Sequence, residues 1–188
     1  MKPLAASFLF VLLLLPATLW SEQNEKPEQK RAKAEKLYNA GYLLTLLGNY
    51  QEAIQLFRRS LEIEPTAEAY TYMGWTFSHM GDLERAREEA EKAIQLDPDF
   101  GNPYNDIAVY LIEQGKEAEA VPYLEKAMRA KRYCCYQFPH FNMGRIHLKK
   151  KMYDKAREEF KKALEIDPAY LPAIQGLELL ELIGAKET

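Results

Sequence analysis

Three histidines and one pair of cysteines are the side chains of this 188-residue chain best suited to chemistry, and their placement argues against it. His79 stands alone near the end of an apolar-periodic stretch. His140 and His147 fall at core-facing positions of another such stretch, so packing accounts for them better than ligation does. Cys134 and Cys135 are adjacent. Two thiols supply neither a zinc site, which needs about four ligands, nor a disulfide framework. They are read as small turn residues, although an oxidising compartment would let them join each other or a second chain. The sequence has no glycine-rich phosphate loop and no nucleophile motif. The run from Glu84 to Glu91 mixes both charge signs at helical spacing, as a solvated helix face does. No catalytic residue, metal ligand or cofactor is expected.

The elements that position these residues recur. Leu61-Glu-Ile-Glu-Pro65, Ile94-Gln-Leu-Asp-Pro98 and Leu164-Glu-Ile-Asp-Pro168 end the same phrase, with 33 residues between the first two prolines and 70 between the last two. A period in the low-to-mid thirties means stacked units. Copies are expected at 34–66, 67–100, 101–136 and 137–170. Each holds two apolar-periodic segments, with Gly48, Gly81 and Gly115 at the turn in the first three. Small residues fall on schedule: Gly41, Gly74, Ala108 and Gly144, then Ala53, Ala86, Ala120 and Ala156. They let two helices approach within the usual ~8–10 Å. Ser60, Ala93, Ala127 and Ala163 would serve the contact with the next unit. Departures concentrate late. Lys131-Arg132 replaces the third proline, two residues are inserted, and Lys151 stands at the fourth turn. Pro122 lies inside a helical pattern, where a kink or a late helix start is expected. A last segment, 171–183, has no partner helix and reads as a cap, with docking of a partner as its alternative role.

This pattern resembles the tetratricopeptide repeat over residues 34–183. The resemblance implies an all-α, right-handed superhelix of four helix-turn-helix repeats plus a C-terminal capping helix. It also implies a protein that holds other proteins, with the first helix of each unit lining a concave face. Non-packing positions of those helices are Tyr38, Asn39, Tyr42 and Thr45, then Thr71, Tyr72, Trp75 and His79. The third unit adds Asn102, Asn105, Asp106, Val109 and Ile112, and the fourth Phe141, Asn142, Arg145 and Lys149. Tyr42, Tyr72 and Trp75 are the expected anchors for a peptide or protein partner, and Asn105 and Asn142 the amides that read its backbone. The family's clamp for a C-terminal carboxylate is missing, because Tyr38, Tyr42, Tyr72, Asn102 and Asp106 occupy its positions. The chain also looks loosely like exported assembly factors of type IV pili. Those carry a lipid-attachment cysteine, which is lacking near this N-terminus.

The net charge of −3 and a pI near 5.8 argue against a protein that coats nucleic acid. Residues 1–20 open with Lys2 and continue as an uncharged apolar stretch broken by Pro16, the form of a signal peptide. Retention as a membrane anchor is the other reading, since Ala17-Thr-Leu-Trp-Ser21 offers no clean cleavage site. Residues 21–33 read as a polar linker. The expected place is the bacterial periplasm, free or anchored to the inner membrane. From Lys126 to Tyr153 there is no acid but eight bases, among them Arg129, Arg132, Arg145 and Lys149. These four are expected to form one basic patch. The leading function is therefore an exported adaptor for envelope assembly, secretion or trafficking. The alternative is a membrane-anchored scaffold whose basic end docks on an anionic surface or polymer.

Overall fold

The computed structural model describes residues 26–187. The signal-like segment and the start of the linker lie outside these residues. Nine helices are described: α1 (Pro27–Leu46), α2 (Tyr50–Ile63), α3 (Ala67–His79), α4 (Leu83–Leu96), α5 (Asn102–Glu113), α6 (Glu117–Arg129), α7 (Gln137–Lys149), α8 (Tyr153–Ile166) and α9 (Leu171–Glu187). None is long and apolar enough to cross a membrane. They pair as α1/α2, α3/α4, α5/α6 and α7/α8, each pair packing on the next, which makes an all-α superhelix.

The expected linker ends early, because α1 starts at Pro27 and takes residues 27–33 as its first turns. Proline at the first helical position presets φ, Glu28 suits the N-terminal dipole, and the Lys26 amide donates to Gln29 Oε1 at 3.3 Å. Later starts use side-chain caps. Thr66 accepts from the Ala69 amide at 3.2 Å, and Asp82 from the Arg85 amide at 3.0 Å. The turns within units need left-handed backbone, with φ of 79° at Gly48, 80° at Gly81 and 74° at Gly115. Lys151 adopts the same conformation at 57° without the glycine that suits it.

The small residues work in two ways. A Cβ at Gly74 would sit 2.7 Å from the Ala86 carbonyl oxygen, so backbone meets backbone there. Gly41 and Gly144 instead make room for the buried rings of Phe57 and Phe160. Gly176 of α9 faces Phe160 from the other side, so α9 sits where the first helix of a further unit would. It covers Phe160 as a cap would, burying its own Ala173 and Leu180. Its outer surface departs from the polar face of a cap, however: Leu171, Leu179 and Leu182 are exposed.

Pro122 does not delay its helix. It is the sixth residue of α6, and the Ala118 carbonyl it leaves unbonded belongs to an exposed residue that water can reach. The third junction is closed by an isolated bridge between Phe100 and Arg132. The Gly101 amide donates to the Arg132 carbonyl at 3.1 Å, and the Arg132 amide to the Asp99 carbonyl at 2.9 Å. Tyr133 then covers Gly101 so closely that a Cβ there would lie 2.5 Å from the Tyr133 Cβ. Gly101→Ala is expected to lower stability by about 1–2 kcal/mol in chemical denaturation, because the root of a buried side chain cannot swing away as its tip could. An unchanged denaturation midpoint would show that the junction yields freely.

Candidate functional site

The first helices of neighbouring units, α1/α3, α3/α5, α5/α7 and α7/α9, touch one another, while the second helices of the described units do not. Elements crowd together on the inner side of a curved stack, so the first helices line the concave face. Their non-packing positions present a run of rings there. Tyr42 lies between Tyr72, at 4.9 Å, and Trp75, at 5.6 Å and nearly parallel. Tyr38 extends the run from Tyr72 at 6.0 Å, and His79 meets Trp75 edge-on at 4.4 Å. Burial, then Glu35 and Glu68, pushes the Tyr38 phenol up to about 12. Burial, then Tyr42, raises that of Tyr72. Both are neutral contact surfaces at any physiological pH.

The middle of the groove opens into a cavity of about 400 Å³, lined by Trp75, Ser78, His79, Asn105, Asp106, Val109, Tyr110, Glu113, Phe138, Phe141, Asn142 and Tyr170. Helix α3 supplies one aromatic wall. The other is Phe138, Phe141 and Tyr170, with ring centroids 5.5 and 5.6 Å from Tyr170. Asp106 keeps part of its surface open to the groove, yet the surrounding protein desolvates its carboxyl. This burial pushes it up to about 7, against a pull downward from the Asn105 side chain. One turn further along α5, the buried Tyr110 hydroxyl makes no hydrogen bond. Burial, then the Asp106 carboxyl, pushes the Tyr110 phenol well up, against a smaller pull from Ser78. The Ser78 proton itself goes to the Trp75 carbonyl at 2.8 Å.

The two amides do not wait for a ligand. Asn142 Nδ2 donates to Asn105 Oδ1 at 3.1 Å, and Arg145 Nη1 donates to Asn142 Oδ1 at 3.0 Å. Both amides line the cavity, are largely buried, and tie α5 to α7 through each other. Asn39 is on α1 and exposed, outside the cavity.

The expected basic patch does not assemble. Arg132 bonds Glu68 at 2.6 Å and Asp97 at 2.5 Å and lies over the Phe100 ring at 4.0 Å. Lys149 pairs with Glu117 of the preceding unit. Arg129 is near Glu125 at 3.8 Å. Burial alone would lower the Arg132 pKa, but Glu68 and Asp97 raise it on balance. The run is acid-free in sequence only, because neighbouring helices bring acids to it. Cys134 is exposed and Cys135 half-buried, and both are free thiols. Burial, then a bond to Cys134, pushes the Cys135 thiol up to about 11.

The linings that sequence reasoning missed are Ser78, Tyr110, Glu113, Phe138 and Tyr170. Phe138 opens α7 and Tyr170 lies in the turn before α9, where helical periodicity assigns no face.

Models of the tetratricopeptide repeat match residues 32–99, 104–132 and 138–170, together most of the chain. Type IV pilus assembly protein PilF of Pseudomonas aeruginosa is 29% identical over 168 residues, covering 87% of this chain and 66% of that protein. Its solved structure superposes with a TM-score of 0.69 at 24% identity, over 81% of this chain and 77% of that one. Photosystem I assembly protein Ycf3 of Acaryochloris marina is 29% identical over 106 residues, 54% of this chain and 64% of that one. The structure of YrrB, a repeat protein with an unusual peptide-binding site, superposes with a TM-score of 0.58 at 20% identity, over 91% of this chain and 84% of that one. This chain spans 29% to 66% of the length of the first curated relatives it matches.

Proposed function

The chain belongs to the tetratricopeptide repeat family, and from that premise we propose that it is an exported, non-enzymatic scaffold that holds a segment of a partner protein in its concave groove during envelope assembly or secretion. The observation that carries this reading is the cavity at mid-groove, walled by rings from α3 on one side and from α7 and the α9 turn on the other. Aromatic rings offer contact area at low entropic cost. Tyr38, Tyr42, Tyr72 and Trp75 would grip the segment at one end and Phe141 at the other. The likeness to PilF and the signal-like residues 1–20 support export to the periplasm. Docking on an anionic surface is the weaker reading, since Arg132 and Lys149 already hold acids.

A photo-reactive residue at Val109, which lines the cavity, should capture a partner in the native host, whereas one at the exposed Gln95 should not. Trp75→Ala should weaken binding of the captured partner by about 2 kcal/mol, roughly thirtyfold, as truncating a central aromatic does. Equal recovery by a Tyr42→Ala/Trp75→Ala variant would overturn the groove as the binding surface.

A further inference from the structure

Asp106 differs from most acids near it. Glu68, Asp82, Asp97, Asp99 and Glu117 each hold an arginine or lysine of the protein. Asp106 makes no ion pair among the described residues although its carboxyl is desolvated, and neither does Glu113, an exposed companion at the cavity. An isolated carboxylate in desolvated surroundings, as Asp106 is, is unfavourable unless something compensates it. The buried Tyr110 hydroxyl beside it is unpartnered as well. Trp75, Phe141 and Tyr170 complete the walls. Carboxylates among aromatic rings suit a cation, which the ring faces attract within about 6 Å.

We propose that this cavity takes a lysine or arginine side chain of the bound segment, its stem between the rings and its charge against Asp106, Glu113 and the Tyr110 hydroxyl. The inference rests on the groove reading above and names the residue type the groove selects. An anionic side chain would meet two carboxylates. Arg145, bonded to Asn142 and lying over the Phe141 ring, keeps its charge but is not in the lining, and burial and Asn105 rather than Arg145 act on the Asp106 carboxyl.

Binding of a cation should depend on pH. The groups around Asp106 are Tyr72, Ser78 and His79 from α3, Asn105, Tyr110 and Glu113 from α5, Tyr133 from the junction, and Asn142 from α7. The tyrosines stay neutral through the range in question. Asp106 itself, pushed up to about 7, is half protonated near neutrality, and a bound cation draws the proton off. Affinity should therefore rise roughly tenfold between about pH 6 and about pH 8.

Nα-acetyl-arginine amide and Nα-acetyl-lysine amide are the probes, with the citrulline and norleucine analogues as neutral isosteres. The readout is the Trp75 indole N–H resonance, assigned by its loss in Trp75→Phe. Both cationic probes should shift it at tens of millimolar, more strongly as pH rises, and Asp106→Asn should weaken them about tenfold while remaining folded by circular dichroism. Equal shifts from the neutral isosteres, an unaffected Asp106→Asn variant, or no shift from either cation would overturn the inference. If partner capture through Val109 still fails in the Tyr42→Ala/Trp75→Ala variant, the groove reading survives that result and only the choice of residue type falls.

Discussion

Gly74→Trp is expected to remove at least ~3 kcal/mol of stability and to lower the thermal midpoint accordingly. Even a methyl group at this position would lie 2.7 Å from the Ala86 carbonyl oxygen, with Glu89 and Ala90 close behind. Backbone cannot rotate aside as a side-chain tip can, so α3 and α4 must separate. Overpacking a rigid site usually costs ~1–3 kcal/mol, and an indole at a backbone contact belongs at or beyond the upper end. Separation would also pull Ala86, Met73 and Phe77 out of their shared cluster. Tryptophan at the exposed Gln95 of α4 serves as the control. Equal midpoints for the two variants would refute the close contact of α3 with α4.

Asp106→Asn should have the opposite sign. A carboxyl raised to about 7 by burial destabilises the folded state once it must ionise. The penalty is absent below the unfolded value near 3.9, grows as pH climbs, and is complete above the folded value. Every tenfold weakening of the acid on folding corresponds to ~1.4 kcal/mol, and partial access to water reduces the total, so about 3 kcal/mol is expected. The variant and the native protein should melt alike near about pH 4, and the variant should be the more stable at about pH 8. Alike melting at both pH values would mean that groove water already hydrates the carboxyl. A gain in stability joined to a loss of partner affinity is the pattern of a site that trades stability for function.

The repeat was legible because its packing is local. Gly41, Gly74, Gly144 and the turn glycines recur at intervals that one period explains, and each unit buries its stripe only against its neighbours. The placement of Tyr42, Tyr72 and Trp75 on one face was legible for the same reason: they lie opposite the marked packing face of their helices. Phe138 and Tyr170 were not, since the start of a helix and a turn have no periodic face. The bond between Asn105 and Asn142 was not legible, because nothing in a single sequence shows that two amides 37 residues apart stand opposite each other. The basic run misled in a related way. Glu117 lies 32 residues from Lys149, and Glu68 lies 64 residues from Arg132. Charge clustering along a chain becomes a field only after neighbouring helices have added their own charges.

The bridge between Phe100 and Arg132 has a bearing on how the molecule breathes. In a simple stack each unit is linked only to the next, and unfolding can spread from either end one unit at a time. Here the entry of the third unit, at Gly101, is bonded to its own exit at Arg132, and Arg132 also holds Glu68, Asp97 and the Asp99 carbonyl of the second. Helices α5 and α6 thus cannot swing open without releasing both clasps together. Opening of the third unit should therefore be coupled to the second, with fraying easier at the flanks. One wall of the aromatic cavity, with the Asp106 floor, rests on those two units, while the opposite wall, Phe138, Phe141 and Tyr170, rests on a flank. The two walls thus belong to different units, joined by the Asn142–Asn105 bond and the Lys149–Glu117 pair, and a segment filling the cavity would add to those ties.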